Sequence, residues 1–250
     1  MVQSFVPKFT YIIPFRFRQD RILPLRRVIE WLSGFQGVEI LLVEQDTHSK
    51  IDYLNLKVNH IFIKSEAPFN KSWAYNVGLK RSQSPVIIFG DADFLMNPME
   101  LIESLKILDN CDCVIPTDKV VNLSQQQSAM DTASILQIKH SQMKKNMLDG
   151  ISIFKKDTIY KIGGWNEDMI GLGFENEFNE LKLKKMLNYK PMEYVGYHIF
   201  HHPDPTPPSL FERNKQILEV YKNDTNMIQQ HIQQTFPKIG ISSRFATIIT

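Results

Sequence analysis

The stretch that decides the fold is Val86–Pro98, VIIFGDADFLMNP. Its first residues, from Val86 to Gly90, form an apolar run without alternation, the mark of a strand buried on both faces. Asp91 and Asp93 follow it, one residue apart. At a strand end, side chains at i and i+2 project to one side. The pair therefore reads either as two hard oxygen donors for a divalent cation or as the acidic residues of a solvated turn.

Upstream, strand and helix alternate. FTYIIPF is a short apolar strand, and RILPLRRVIEWLSGF places Ile22, Leu25, Ile29 and Leu32 at helical spacing, with Pro24 in the first turn and Gly34 at the end. Val38–Asp46 and His60–Lys64 read as two further strands, and NKSWAYNVGLKRS as a helix. Such alternation predicts an α/β fold with a largely parallel sheet covered on both faces. Ligands of these sheets bind beyond the carboxyl ends of the strands, where Asp91 and Asp93 lie.

Downstream the pattern is less regular. LSQQQSAMDTASILQIKHSQMKKNM is polar and reads as a surface helix or a loop. DGISIFKKDTIYKIGGW suggests a strand, a short helix and a Gly-rich loop, after which a helix opens near Phe174. HHPDPTPP (His201–Pro208) is too proline-rich for regular structure. It marks an expected boundary between a catalytic domain over 1–205 and a C-terminal helical tail over 206–250. That tail packs on the domain, pairs with a partner or touches a membrane surface.

The bulk numbers fit this reading. With 250 residues, 43% of them hydrophobic and 16 of them Phe, the chain can bury one large domain or a domain with an appendage. Lys and Arg number 29 against 27 Asp and Glu, so no basic excess calls for nucleic acid. Cys111 and Cys113 stand too close to brace the fold and read as reduced thiols. The start, MVQSFVPKFTYIIPF, lacks a signal peptide's charged lead and long apolar stretch. No window approaches the roughly eighteen apolar residues of a membrane span. A soluble cytoplasmic protein is expected.

Four segments carry chemistry. Arg16 and Arg18 follow the first strand, where guanidinium groups suit a diphosphate or a uracil carbonyl. Lys71 opens the helix in FNKSWAYNVGL and is placed either to meet a phosphate or to face solvent. GGWNEDMIGLGFENEF (Gly163–Phe178) holds glycines for tight turns or close approach to a ligand, with Glu175, Asn176 and Glu177 at a helix start. These glycines bracket Trp165, and the segment between Gly163 and Gly173 has the glycines of a hinge. YHIFHH (Tyr197–His202) offers three imidazoles. His198 and His201 share a face in a helical turn, His198 and His202 in a strand, so not all three serve one ion. No Gly-rich nucleotide fingerprint, Walker loop, H-E-x-x-H or nucleophile elbow occurs.

Taken in order, these segments resemble the catalytic domain of the β-1,4-galactosyltransferase family and its bacterial relatives, glycosyltransferases of the GT-A fold. The likeness runs from about Tyr11 to His201. The family's P-F-R-x-R segment matches Pro14, Phe15, Arg16 and Arg18. F-N-R-x-x-x-x-N-V-G matches Phe69, Asn70, Asn76, Val77 and Gly78, with Lys71 in place of Arg. The D-x-D motif falls on Asp91-Ala92-Asp93, G-W-G-G-E-D-D on Gly171–Glu177, and M-x-x-H on His198–His201.

The resemblance implies a mixed, mostly parallel sheet flanked by helices and an inverting transfer of a sugar from a UDP-sugar donor. Galactose or N-acetylgalactosamine would pass to a glycan or lipid-linked glycan hydroxyl in surface polysaccharide synthesis, at the inner face of a membrane or in the cytoplasm. Mn²⁺ or another divalent cation would be held by Asp93, His198 and His201. Pro14, Phe15, Arg16, Arg18, Lys71, Asn76, Asp91, Ala92, Trp165 and Gly173 would bind substrate. The family's base position is Asn176 here, and an amide takes no proton, so Glu175 is the implied base, with Glu177 the other candidate. Leu172 replaces the family's acceptor-site tryptophan. Two rival readings are a non-catalytic nucleotide-sugar or glycan-binding module and a metal-dependent hydrolase.

Overall fold

The computed structural model describes residues 8–51, 54–139, 142–171, 173–203, 206–224 and 226–241. Its front half runs β1 (Phe9–Phe15), α1 (Ile22–Leu32), β2 (Val38–Asp46), β3 (Asn59–Lys64), α2 (Lys71–Arg81), β4 (Val86–Gly90), β5 (Phe94–Met96) and α3 (Pro98–Ile107). Then come β6 (Cys113–Asn122), α4 (Gln125–Ser128), α5 (Thr132–Ile135), β7 (Met143–Lys144), β8 (Ile151–Lys155), α6 (Lys156–Lys161), α7 (Glu175–Met186), β9 (Tyr189–His198), α8 (Pro208–Asn223) and α9 (Asn226–Thr235).

The four front strands are parallel in the order β3-β2-β1-β4. Their apolar runs face both ways: Tyr11 and Ile13 enter a core with Trp31 and Leu42, and Ile12 enters another with Leu41 and Trp73. Burial on both faces is why these strands show no alternation. Asn70 caps α2 by accepting the Trp73 N–H at 2.9 Å. Every α2 residue from Ser72 to Leu79 is buried.

The back half mixes directions. Next to β4 lies antiparallel β8, then β6, then β9 parallel to β6, and finally the short β5 antiparallel to β9, with β7 paired to β6. The polar segment after β6 holds two one-turn helices, α4 and α5. Cys111 and Cys113 are buried free thiols. The C-terminal segment folds back: Tyr221 of α8 meets Phe178 of α7 at 4.8 Å, and Trp73 Nε1 donates to the Ile241 carbonyl at 2.8 Å.

Two registers build the site. Gly90 pairs with Ile151, which brings the start of β8 alongside Asp91, and the Asp91 N–H donates to the Gly150 carbonyl at 2.9 Å. Phe94 pairs with His198, and the Ile199 N–H donates to the Asp93 carbonyl at 2.8 Å.

Candidate active site

A cavity of about 780 Å³ opens over the carboxyl ends of the front strands. Pro14, Phe15, Arg16 and Arg18 line one side, Lys71, Asp91, Ala92 and Asp93 the floor, and Glu175, His198 and His201 the far wall. Eleven of the sequence-derived site residues thus converge on one space.

The two carboxylates of the opening motif part company. Both lie in the turn after β4 rather than on the strand, so the same-side projection of a strand does not hold. Asp91 Oδ1 meets Lys71 Nζ at 2.7 Å and accepts the Tyr75 hydroxyl at 3.1 Å, and its Oδ2 accepts the Gly150 N–H at 3.1 Å. Lys71 pays a desolvation cost, but the Asp91 and Glu175 charges outweigh it and keep the ammonium charged. Asp93 instead faces Arg21, His198 and His201.

Asp93, His198 and His201 have donor atoms within 4.8 Å of one another. His201 Nε2 lies 3.1 Å from Asp93 Oδ2, and His198 Nε2 lies 3.8 Å from Oδ1. Each ring's outer nitrogen is engaged: His198 Nδ1 with Asn122 Oδ1 at 3.1 Å, and His201 Nδ1 with the His202 carbonyl at 2.8 Å. Two outward Nδ1–H donors leave both Nε2 lone pairs pointing inward, 3.0 Å apart. Facing lone pairs repel unless a proton or a cation lies between them, so the donor set fits a divalent ion. His202 is outside this set; its N–H donates to Asp20 Oδ2 at 2.9 Å. Where a proton rather than a cation fills the gap between the rings, His201 Nε2–H donates to Asp93. Burial would raise the Asp93 pKa, yet this bond, with the His198 and Arg21 charges, holds it well below the usual carboxylate range.

Four expected site residues are placed elsewhere. Trp165 is 2% exposed and packs 4.8 Å from Tyr75, so it closes the turn from inside and offers no face to a sugar. Asn76 is fully buried: its amide donates to the Trp165 carbonyl and Glu167 Oε1, and its Oδ1 accepts the Trp165 N–H. Glu177 accepts Asn146 Nδ2 at 3.4 Å and does not line the cavity. Gly173 holds Glu175 through its N–H, 3.0 Å from Oε2, but lies outside the cavity wall. Leu172 falls outside the described residues. The first half of the Gly163–Gly173 segment is closely packed. Gly164 has φ +63°, a Cβ there would meet Asn76 Oδ1 at 2.5 Å, and Asn166, Glu167 and Met169 are buried.

A family model described as glycosyl transferase family 2 matches residues 12–160. The chain belongs to that family. No curated protein sequence matches the glycosyltransferase. Among solved structures it is similar to Drosophila β-1,4-galactosyltransferase 7, seen as a mutant with manganese, UDP-Gal and xylobiose. That pair is 15% identical over 84% of this chain and 79% of the other, with TM-score 0.53. The catalytic domain of the same Drosophila enzyme with xylobiose is 14% identical over 86% and 80%, with TM-score 0.54. S. aureus TarS with UDP-GlcNAc is 15% identical over 94% and 72%, with TM-score 0.59. The shared architecture is the GT-A fold.

Four charged residues of the glycosyltransferase's cavity are absent from the motif reading: Arg21, Lys144, Lys145 and Asp149. Arg21 reaches Asp93 across 72 residues of sequence. Lys145 donates to the carbonyls of Asn146, Met147 and Asp149, and burial lowers its pKa to about 8. Asp149 Oδ1 accepts the Asn176 amide at 2.5 Å. Only the Asp-Gly pair ahead of β8 hints at Asp149 in the sequence. Among the described residues no helix is long and apolar enough to cross a membrane.

Proposed function

We propose that this glycosyltransferase transfers a hexose, galactose or N-acetylgalactosamine, from a UDP-sugar to a carbohydrate hydroxyl with inversion at the anomeric carbon. The observation that carries the reading is the converging trio of Asp93, His198 and His201 in the same cavity as Arg16, Arg18 and Lys71. Asp93, His198 and His201 would hold Mn²⁺ or another divalent cation, which supplies Lewis-acid neutralisation of the diphosphate charge. Arg16 and Arg18 face the cavity with forked donors suited to the phosphates or the uracil. Asp91 keeps Lys71 charged and aimed along the floor. A carboxylate in the wall takes the proton of the attacking hydroxyl. The UDP-sugars and carbohydrate acceptor bound by the Drosophila enzyme and TarS support this donor and acceptor class.

The test is UDP release from UDP-galactose, UDP-N-acetylgalactosamine, UDP-glucose and UDP-N-acetylglucosamine, with Mn²⁺ and with chelator, against mono- and disaccharide acceptors. Metal-dependent UDP from one donor is expected. UMP in place of UDP would instead show a hydrolase of the pyrophosphate. UDP binding with no turnover of any donor would show a binding module.

A further inference from the structure

We propose that Asp149 is the general base of this transferase and that Asn176 is the residue that positions it. The assignment rests on the transfer reading above and names the proton acceptor that reading requires.

Four carboxylates line the cavity. Asp91 is bound to Lys71 and Asp93 belongs to the imidazole cluster, which leaves Glu175 and Asp149, both close enough to act on the Lys71 charge. Glu175 is 6% exposed, and its Oε2 is occupied by the Gly173 N–H. Burial, only partly offset by Lys71, raises its pKa. That carboxylate clamps the turn ahead of α7. Asp149 is half-buried, so it can receive a proton and pass it to solvent. One of its oxygens is held by the Asn176 amide, and no described residue hydrogen-bonds the other, Oδ2. Its backbone is fixed as well. The Asp149 carbonyl accepts Lys145 Nζ at 2.7 Å, and the adjoining Gly150 is tied to Asp91 through both its N–H and its carbonyl. Gly150 has φ +80° and a Cβ there would strike the Phe94 ring at 2.6 Å, so Asp149 sits on a turn that admits little variation.

Asn176 fits the positioning role. It is 7% exposed, and among the described residues its buried Oδ1 has no hydrogen-bond partner and its side chain makes one polar contact, the bond to Asp149. A carboxylate in place of that amide would face Asp149 within hydrogen-bond distance. Two such groups cannot both ionise, and one would hold a proton at neutral pH. The amide at this position thus keeps Asp149 free to accept. In the step itself the acceptor O–H gives its proton to Asp149 as the oxygen bonds to the anomeric carbon. The bond from that carbon to the phosphate oxygen breaks, and its electron pair leaves with UDP.

The experiment compares wild type with Asp149→Asn, Asn176→Asp, Glu175→Gln and the double exchange Asp149→Asn/Asn176→Asp. It uses the donor and acceptor the wild type turns over, and measures UDP affinity by calorimetry and kcat against pH. Asp149→Asn can keep the contact to Asn176 by turning its amide oxygen inward, so folding is expected to survive. It should lose about 10²–10⁴-fold in kcat, with UDP affinity within threefold and the acid limb of the pH profile gone. Asn176→Asp alone should lose at least tenfold at pH 7. The double exchange, whose carboxylate stands at position 176 off the cavity wall, should stay within threefold of Asp149→Asn, a regain of tenfold or more overturning the assignment. Asp149→Asn within tenfold of wild type, or faster transfer by Asn176→Asp alone, overturns the assignment. So does a Glu175→Gln loss that exceeds the Asp149→Asn loss with UDP affinity intact. A wild type that transfers from no UDP-sugar overturns the transferase reading and this assignment with it.

Discussion

Arg21 shows how one side chain sets the character of the candidate metal centre. Its guanidinium pairs with Asp93 Oδ2, an oxygen that also meets His201. A divalent ion entering between Asp93 and the two imidazoles must therefore displace a monovalent charge or repel it at close range. Replacing Arg21 by glutamine removes that competitor and leaves the carboxylate in place. Arg21→Gln should bind Mn²⁺ about tenfold more tightly in the absence of nucleotide, equivalent to about 1.4 kcal/mol. The free-Mn²⁺ resonance signal in a titration measures this directly. Equal affinity of the two proteins would show that the guanidinium does not compete, and Asp93→Asn should abolish binding in both. The trio itself was legible in sequence because D-x-D and the histidine cluster announce themselves locally. Arg21 was not, since its partner lies 72 residues away and only the sheet brings them together. The same is true of Asp149, whose partner Asn176 lies 27 residues on.

At the scale of elements, legibility followed burial. β1, β2 and β4 announce themselves because apolar side chains fill both faces, and their bounds match the apolar runs. β6 and β9 do not. β6 carries Pro116, Asp118 and Lys119, and its pairing with β9 shifts register around Ile115, Thr117 and Lys119. A proline inside a strand is tolerated at such an irregularity, and a broken register erases the period that a sequence reading uses. Helix α7 hides a different feature. Lys182 on its inner side is fully buried, donates to the Gly164 carbonyl and lies 5.6 Å from the Phe178 ring centroid. Burial lowers its pKa to about 7. The unfolded chain keeps an ordinary lysine, so between pH 7 and about 10.4 it binds more protons than the native state. Stability from this group therefore rises with pH across that window, by at most about 1.4 kcal/mol per unit. Below pH 7 the full cost of a buried charge is present. Thermal unfolding of Lys182→Met and wild type should show the variant gaining on wild type at pH 6 and losing that advantage by pH 9.5. A difference independent of pH would place the charged ammonium comfortably in the fold.

The whole molecule decides what the C-terminal segment is for. The proline-rich stretch at His201–Pro208 reads as a boundary, and the segment after it reads as an appendage. Its contacts reach the cavity's own supports. Asn214 of α8 donates to the carbonyls of Ile170 and Gly173, both at 3.0 Å, on the turn that carries Glu175. The Gly240 N–H meets the buried Glu167 carboxylate, which Asn76 also holds. Ile228, Ile232 and Ile239 are buried. Deleting residues 226–250 removes these three side chains, each worth about 1.5–3 kcal/mol when fully buried. It also leaves Trp73 Nε1 without the Ile241 carbonyl and strips one donor from Glu167. The loss should lower stability by about 4 kcal/mol, the low end of that sum, since burial sums of this kind are upper estimates. The Trp73 and Trp165 environments should loosen with it, because Asn76 links Glu167 to the Trp165 backbone. Denaturant unfolding followed by tryptophan fluorescence measures both effects. A truncated chain with an unchanged midpoint would make residues 226–250 a separable tail. A fall in midpoint together with weaker UDP binding would show that the C-terminal segment holds the sugar-transfer cavity in shape.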